Sequence, residues 1–327
     1  MPANPRVHKC HGPRVLTGFA YHGYEAVILE NEKVRAVINL GRGTHISELV
    51  YKPKDLDVLF KNPRGFKHHT GFIPTAYDDK AYHEHHAGGW FECFPNGGAA
   101  TELGGGKFGF HGELWGTPFE VKEIQESDTH AAVVVEGLTH RAPFKIRKTF
   151  SLNSGDSTLS IEEQVTNLGE QEFDVLWGQH PTLGEPFLGA DCRLEVAATS
   201  YFNPEDEPIL RRKWPPQSGE NFGECLPRDA RRSRFVFVTD FPEGRARVVS
   251  PKWKLGFEIE WDAARFPYLW LFENQGTRNA PWFGRARMLA IEPFTGMDTA
   301  VKEGHGLLRF APGETVSTVF KSRFVEL

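Results

Sequence analysis

Residues 130–167 read HAAVVVEGLTHRAPFKIRKTFSLNSGDSTLSIEEQVTN. Three strand-like runs lie in this stretch, HAAVVVEGLTH, FKIRKTFSLN and STLSIEEQVTN, and the last two alternate apolar with polar side chains. That period of two is the mark of a strand with one buried face. The LNSGDS between the second and third runs carries turn residues. The predicted unit is therefore a set of antiparallel strands joined by turns.

The same pattern extends outward in both directions. YEAVILEN, KVRAVINLG, HISELVY and PFEVKEIQ precede it. EFDVLWGQH, CRLEVAATSYF, RFVFVTDF, RARVVSP, LGFEIEWD, YLWLFEN, ARMLAIEPF and GETVSTVFKSRFVEL follow it, with turns at NLGE, FPEGR and APGE. No segment of 12 or more residues keeps a helical period, and no repeat of fixed length is visible. Residues 61–90 and 203–232 read as long loops, the kind that form lids or rims. No Gly/Ser linker divides the chain. Residues 1–327 are read as one domain, all-β, a large two-sheet antiparallel sandwich.

Composition agrees. Aromatic residues make up 13% of the 327 residues, with 26 Phe and 8 Trp, and 33 Gly and 22 Pro supply turns. A formal charge of −5 predicts neither nucleic acid nor an anionic membrane as partner. Cys10, Cys93, Cys192 and Cys225 form no CxxC pair, so reduced thiols in a cytoplasmic protein are expected. The first residues carry charge and proline where a signal peptide needs an apolar stretch. No apolar run approaches the roughly 20 residues of a membrane-spanning helix. A homodimer is left open.

Three separated residues carry the candidate chemistry: His111 in FGFHGELWG, His180 in LWGQHPTLG and Glu292 in LAIEPFTG. Each sits at the edge of a strand-like run and is followed by Gly or Pro. A carboxylate and two imidazoles can move protons at neutral pH without a cofactor or metal. Opening and reclosing a sugar hemiacetal needs little more.

With these fragments in order, the chain resembles the aldose 1-epimerases, the galactose-mutarotase-like proteins. The likeness runs from about residue 24 to the C-terminus. It begins with NEKVRAVINLGRGTHISELVYKPKDLDVLF and continues through FPNGG at 94–98 with FHGELWGTPFEV at 110–121. LWGQHPTLGEPF at 176–187 and IEPFTG at 291–296 complete it. The resemblance implies a β-supersandwich, a small-molecule sugar substrate, His111 and His180 as the two site histidines, and Glu292 as the base. Glu292 would take the anomeric proton, His180 would give one to the ring oxygen, and His111 would donate to one of those oxygens. An arginine-bearing segment common in such proteins has no counterpart in GGWFECFPNGG, and no substrate-binding aspartate is matched.

Around the trio, Trp90, Phe91, Trp115, Trp270 and Phe272 are candidate pocket walls, of which Trp90 and Trp115 flank the site segments most closely. Glu92, Asn96, Asn274 and His69 are candidate partners for sugar hydroxyls. His68, His69, His83, His85 and His86 suggest a metal cluster. But adjacent strand residues point to opposite faces and no Cys pair completes a set, so a polar loop at the cleft rim is the preferred reading. GGGKFG at 104–109 lacks the spacing of a phosphate loop and reads as a turn. Arg64, Lys67, Arg285 and Arg287 are available to an anionic sugar substituent. Two rival functions remain: a non-catalytic carbohydrate-binding protein on the same scaffold, and a glycoside-processing enzyme, which would call for two carboxylates.

Overall fold

The computed structural model describes residues 12–65, 80–217 and 220–327. Every ladder between its strands is antiparallel. The larger sheet places Arg14–Tyr21, Tyr24–Glu30, Val34–Asn39 and His45–Tyr51 side by side. It continues through Trp90–Cys93, Gly178–Gly184, Arg287–Phe294, Tyr268–Gln275 and Arg232–Thr239. The smaller sheet runs from Arg193–Val196 through Gly244–Ser250, Leu255–Trp261, Thr315–Glu326, Thr158–Asn167, Phe144–Asn153 and His130–Leu138 to Phe119–Glu126.

The opening stretch behaves as its alternation dictates. Phe144–Asn153 buries every second residue, and it pairs with both of its sequence neighbours. One core cluster joins the two sheets: Ile146, Phe150, Ile161 and Phe320 from the smaller meet Leu29, Ile38, Leu183 and Ile291 from the larger. Burying such side chains stabilises by about 1.5–3 kcal/mol each before entropy is subtracted.

Four local expectations are corrected. The run EFDVLWGQH splits: Phe173–Val175 joins a separate ribbon with Leu308–Phe310, and Gly178–Gly184 lies in the larger sheet. CRLEVAATSYF likewise divides between the two sheets. Arg14–Tyr21 is a strand, because it closes a hairpin with Tyr24–Glu30 through His22 and Gly23 at positive φ. The stretch read as a loop at 61–90 ends in a short α-helix, Lys80–His85. Among the described residues no helix is long and apolar enough to cross a membrane. Cys93, Cys192 and Cys225 are buried free thiols, and Cys10 lies outside the described residues.

Candidate active site

Register brings the trio's two strand residues together. His180 pairs with Phe91 on one side. On the other, Gly178 pairs with Phe294 and Thr182 with Ala290, so His180 stands opposite Glu292. Glu292 in turn pairs with Trp270. Phe91, His180, Glu292 and Trp270 thus form one row across four strands, all on the same face. His180 Nε2 lies 3.3 Å from Glu292 Oε2. The Phe91 ring stacks on the His180 imidazole at 4.3 Å between centroids. Both residues sit within their strands rather than at strand edges, because the ladder continues past each of them to Gly184 and Phe294.

His111 reaches the same place from a turn. Its φ of 60° is in the left-handed region, which costs a non-glycine residue of order 1 kcal/mol or more. The turn is held by a two-point clasp: His111 N donates to Gly98 O at 2.9 Å, and Gly98 N donates to His111 Nδ1 at 3.0 Å. Gly112 follows at φ 75°, where a Cβ would meet Phe94 O at 2.2 Å. Glu113, fully buried, accepts the N–H groups of His140, Arg141 and Ala142 and ties this turn to the smaller sheet. The His111 and His180 ring centroids are 5.1 Å apart. Because Nδ1 of His111 accepts a backbone N–H, its ring proton resides on Nε2.

The electrostatics follow from burial. Glu292, His180 and His111 are 2%, 7% and 5% exposed, so water does little to stabilise a charge on any of them. Burial raises the Glu292 carboxyl well above the ordinary carboxylate range. It lowers His180 to about 3, and it lowers His111 well below the usual imidazole value, with His180 and His86 adding to the effect. Glu292 Oε2 accepts no well-formed hydrogen bond, although His180 is close.

The Lys80–His85 helix covers this row. Tyr82 packs edge-on to His111 at 4.8 Å, stacks on His86 at 5.0 Å and touches Phe91 and Trp115. Arg42 Nη2 donates to His85 O at 2.6 Å and Asn62 Nδ2 to His86 O at 2.6 Å, anchoring the helix C-terminus. The cavity beneath, lined by Arg42, His45, Tyr82, His86, Phe91 and Trp115, is about 10 Å³, room for one water.

Other expected site residues are placed differently. Trp90 and Glu92 alternate with Phe91 and so point to the opposite face, between the sheets. Trp90 Nε1 donates to Gln179 Oε1 at 2.8 Å. Glu92 accepts from Lys148 Nζ and Trp177 Nε1, while Lys148 also reaches Glu163 at 3.3 Å. Neither is available to a ligand at the trio. Asn96 donates to Ala99 O and Gly109 O, shaping the loop behind His111. Asn274 lies four residues along its strand from Trp270 and caps Thr277 N at 3.0 Å. Trp115 does border the site, against Tyr82 and His85. His68, His69 and Lys67 lie outside the described residues. Of the histidine cluster, His83 and His85 are on the helix and His86 is buried, which a strand-based reading could not anticipate. Among the described residues no group of three or more His, Cys, Asp or Glu is arranged to hold a metal ion.

Comparison with known proteins fits this architecture. A family described as a domain of unknown function, DUF4432, matches residues 21–321. The chain belongs to the DUF4432 family. No curated protein sequence matches it. Solved structures show which fold this DUF4432 chain has. One is a Klebsiella pneumoniae protein provisionally named an aldose 1-epimerase, with TM-score 0.75 and 15% identity over 96% of this chain and 83% of that one. A galactose mutarotase-like protein from Lactobacillus casei has TM-score 0.65 and 18% identity over 92% and 100%. A second such protein, from Clostridium acetobutylicum, has TM-score 0.69 and 16% identity over 97% and 99%. The DUF4432 fold here is the galactose mutarotase-like β-sandwich.

Proposed function

We propose that this protein is an aldose 1-epimerase, exchanging the α and β anomers of a free aldose by opening and reclosing its ring. The observation that supports the reading most is the row that sets His180 Nε2 3.3 Å from Glu292 Oε2 with His111 beside them. Glu292 removes the proton of the anomeric hydroxyl, the C1–O5 bond breaks, and His180 delivers a proton to O5. The aldehyde turns about the C1–C2 bond and the reverse transfers close the other anomer. His111 donates from Nε2 to an oxygen of the ring. Phe91 and Trp115 provide flat apolar surface beside it.

Burial favours the uncharged pair, a carboxylic acid beside a neutral imidazole. The working pair, carboxylate with imidazolium, holds the same number of protons and differs by one transfer across the contact. Sugar hydroxyls supply the hydrogen bonds that favour the charged form. Entry of a pyranose requires the Tyr82 ring to leave the face of His111, so the Lys80–His85 helix moves on binding. The three buried free thiols suit a reducing compartment, which supports a cytoplasmic home.

Saturation-transfer NMR on a panel of aldoses tests the reading. Anomer exchange accelerated by the protein, and reduced about 10²–10⁴-fold in Glu292→Gln and His180→Asn, is expected. Exchange unchanged in both variants overturns the mechanism. Calorimetric binding without any acceleration supports instead a carbohydrate-binding protein on this scaffold.

A further inference from the structure

At the far end of the Glu292 strand the chain gathers positive charge that it does not neutralise. Arg287 pairs with Gln275 there, and Arg231 N donates to Gln275 O at 2.9 Å. Both guanidiniums approach one glycine: a methyl group on Gly276 would meet Arg231 Nη1 at 3.5 Å and Arg287 Nη2 at 3.6 Å. Among the described residues neither arginine has a carboxylate within ion-pairing distance, and Arg287 Nε is buried without a hydrogen-bond partner. Arg287 also lines a hollow of about 420 Å³ together with Arg228, Lys252, Gln275 and the Glu185–Gly189 turn. Glu185 is the carboxylate in that lining, and it is already paired with Arg228 at 2.7 Å. Asp191, nearby, accepts Lys252 N at 3.2 Å.

Two like charges flanking one spot are unfavourable unless an anion lies between them. A chain whose overall charge is −5 gains nothing globally from such a cluster. Paired guanidiniums present planar forks of N–H donors that match tetrahedral oxyanions, with lysine as an additional point charge. We infer that the hollow lined by Arg287, Arg228 and Lys252, with Arg231 beside Arg287 at Gly276, binds a phosphate-class oxyanion. The site is separate from the trio. Arg287 precedes Glu292 by five residues, about 17 Å along a strand at ~3.3 Å per residue. The odd offset also points its side chain to the other face of the sheet. It therefore does not read a substituent on a sugar held at His180, and the inference stands apart from the proposed activity.

Thermal unfolding followed with sodium phosphate, against sodium chloride at matched ionic strength, tests this. The expected result is a saturable rise in Tm of about 2–4 °C with phosphate alone, kept in Glu292→Gln and lost in Arg231→Gln/Arg287→Gln. Arg228→Gln/Lys252→Gln changes exposed side chains only, and a weaker phosphate response in it supports the site should the first double variant not fold. A rise with glucose 6-phosphate but not with inorganic phosphate assigns the oxyanion to an organic ester. Equal shifts in phosphate and chloride, or a phosphate response undiminished in both double variants, overturns the inference.

Discussion

Thr182 Oγ1 lies 3.0 Å from His180 Nδ1, two residues along the same strand and therefore on the same face. Thr182 is fully buried, so no water competes for that contact. It fixes the ring plane and influences which nitrogen carries the proton. Thr182→Val keeps the shape and removes the hydroxyl. The expected outcome is a changed His180 tautomer balance in ¹⁵N NMR and a fall in kcat of about tenfold, with Thr182→Ser restoring both.

Glu292 carries a stability cost that pH should reveal. Burial raises its folded value above the ordinary 4.5, so the unfolded chain gives up this proton more readily than the folded one. The stabilisation is complete below the unfolded value and is lost as pH rises through the folded value. Glu292→Gln removes that loss. Its Tm is expected to exceed that of the wild type at pH 8, with the gap closing as pH falls below 4.5. A variant less stable than wild type at pH 8 contradicts this account.

Under the proposed epimerase function, the pH dependence of turnover follows from the same two groups. With His180 lowered to about 3, the acid limb of kcat/KM is expected near that value rather than at the usual imidazole pKa. The alkaline limb belongs to the raised Glu292 carboxyl. A flat profile from about pH 5 to 7 is the result that checks this against a histidine titrating normally.

Lys148 holds two carboxylates between the sheets, where Lys148, Glu92 and Glu163 side chains are 3%, 1% and 0% exposed. Burial and, after it, the charge of Glu92 raise the Glu163 carboxyl to about 8, with Lys148 opposing them. Lys148→Ala strands Glu92 and is expected to cost about 3–5 kcal/mol in urea unfolding. Lys148→Met/Glu92→Gln should recover much of that loss.

Tyr82 sets access. Tyr82→Ala is expected to speed sugar binding in stopped-flow tryptophan fluorescence, because the ring against His111 no longer has to leave. The same change opens a cavity and should lower Tm.

The β-sandwich was legible because alternation runs through much of the chain; His111, His180 and Glu292, which the fold brings together, each stand in a distinctive short motif. At WFEC the alternation puts Trp90 and Glu92 on one face and Phe91 and Cys93 on the other, and only the pairing of Phe91 with His180 shows which of the two faces the site. Tyr82 and His86 left no periodic signal, since a six-residue helix is too short to show one. The clasp between His111 and Gly98 depends on a left-handed turn at a non-glycine residue, which residue types alone do not announce.

The facing of Phe91 and His180 against Glu92 and Gln179 has a consequence for how the chain reaches this state. If the Trp90–Cys93 strand paired one position out of step, Glu92 would leave Lys148 and turn toward the aromatic cover, and Phe91 would leave the His180 ring. The error would be penalised on both surfaces at once, by stranded ions inside and displaced rings outside. Placing the Lys148–Glu92 ion pair and the His180–Glu292 contact on opposite faces of the sheet thus makes a one-residue slip costly on both sides.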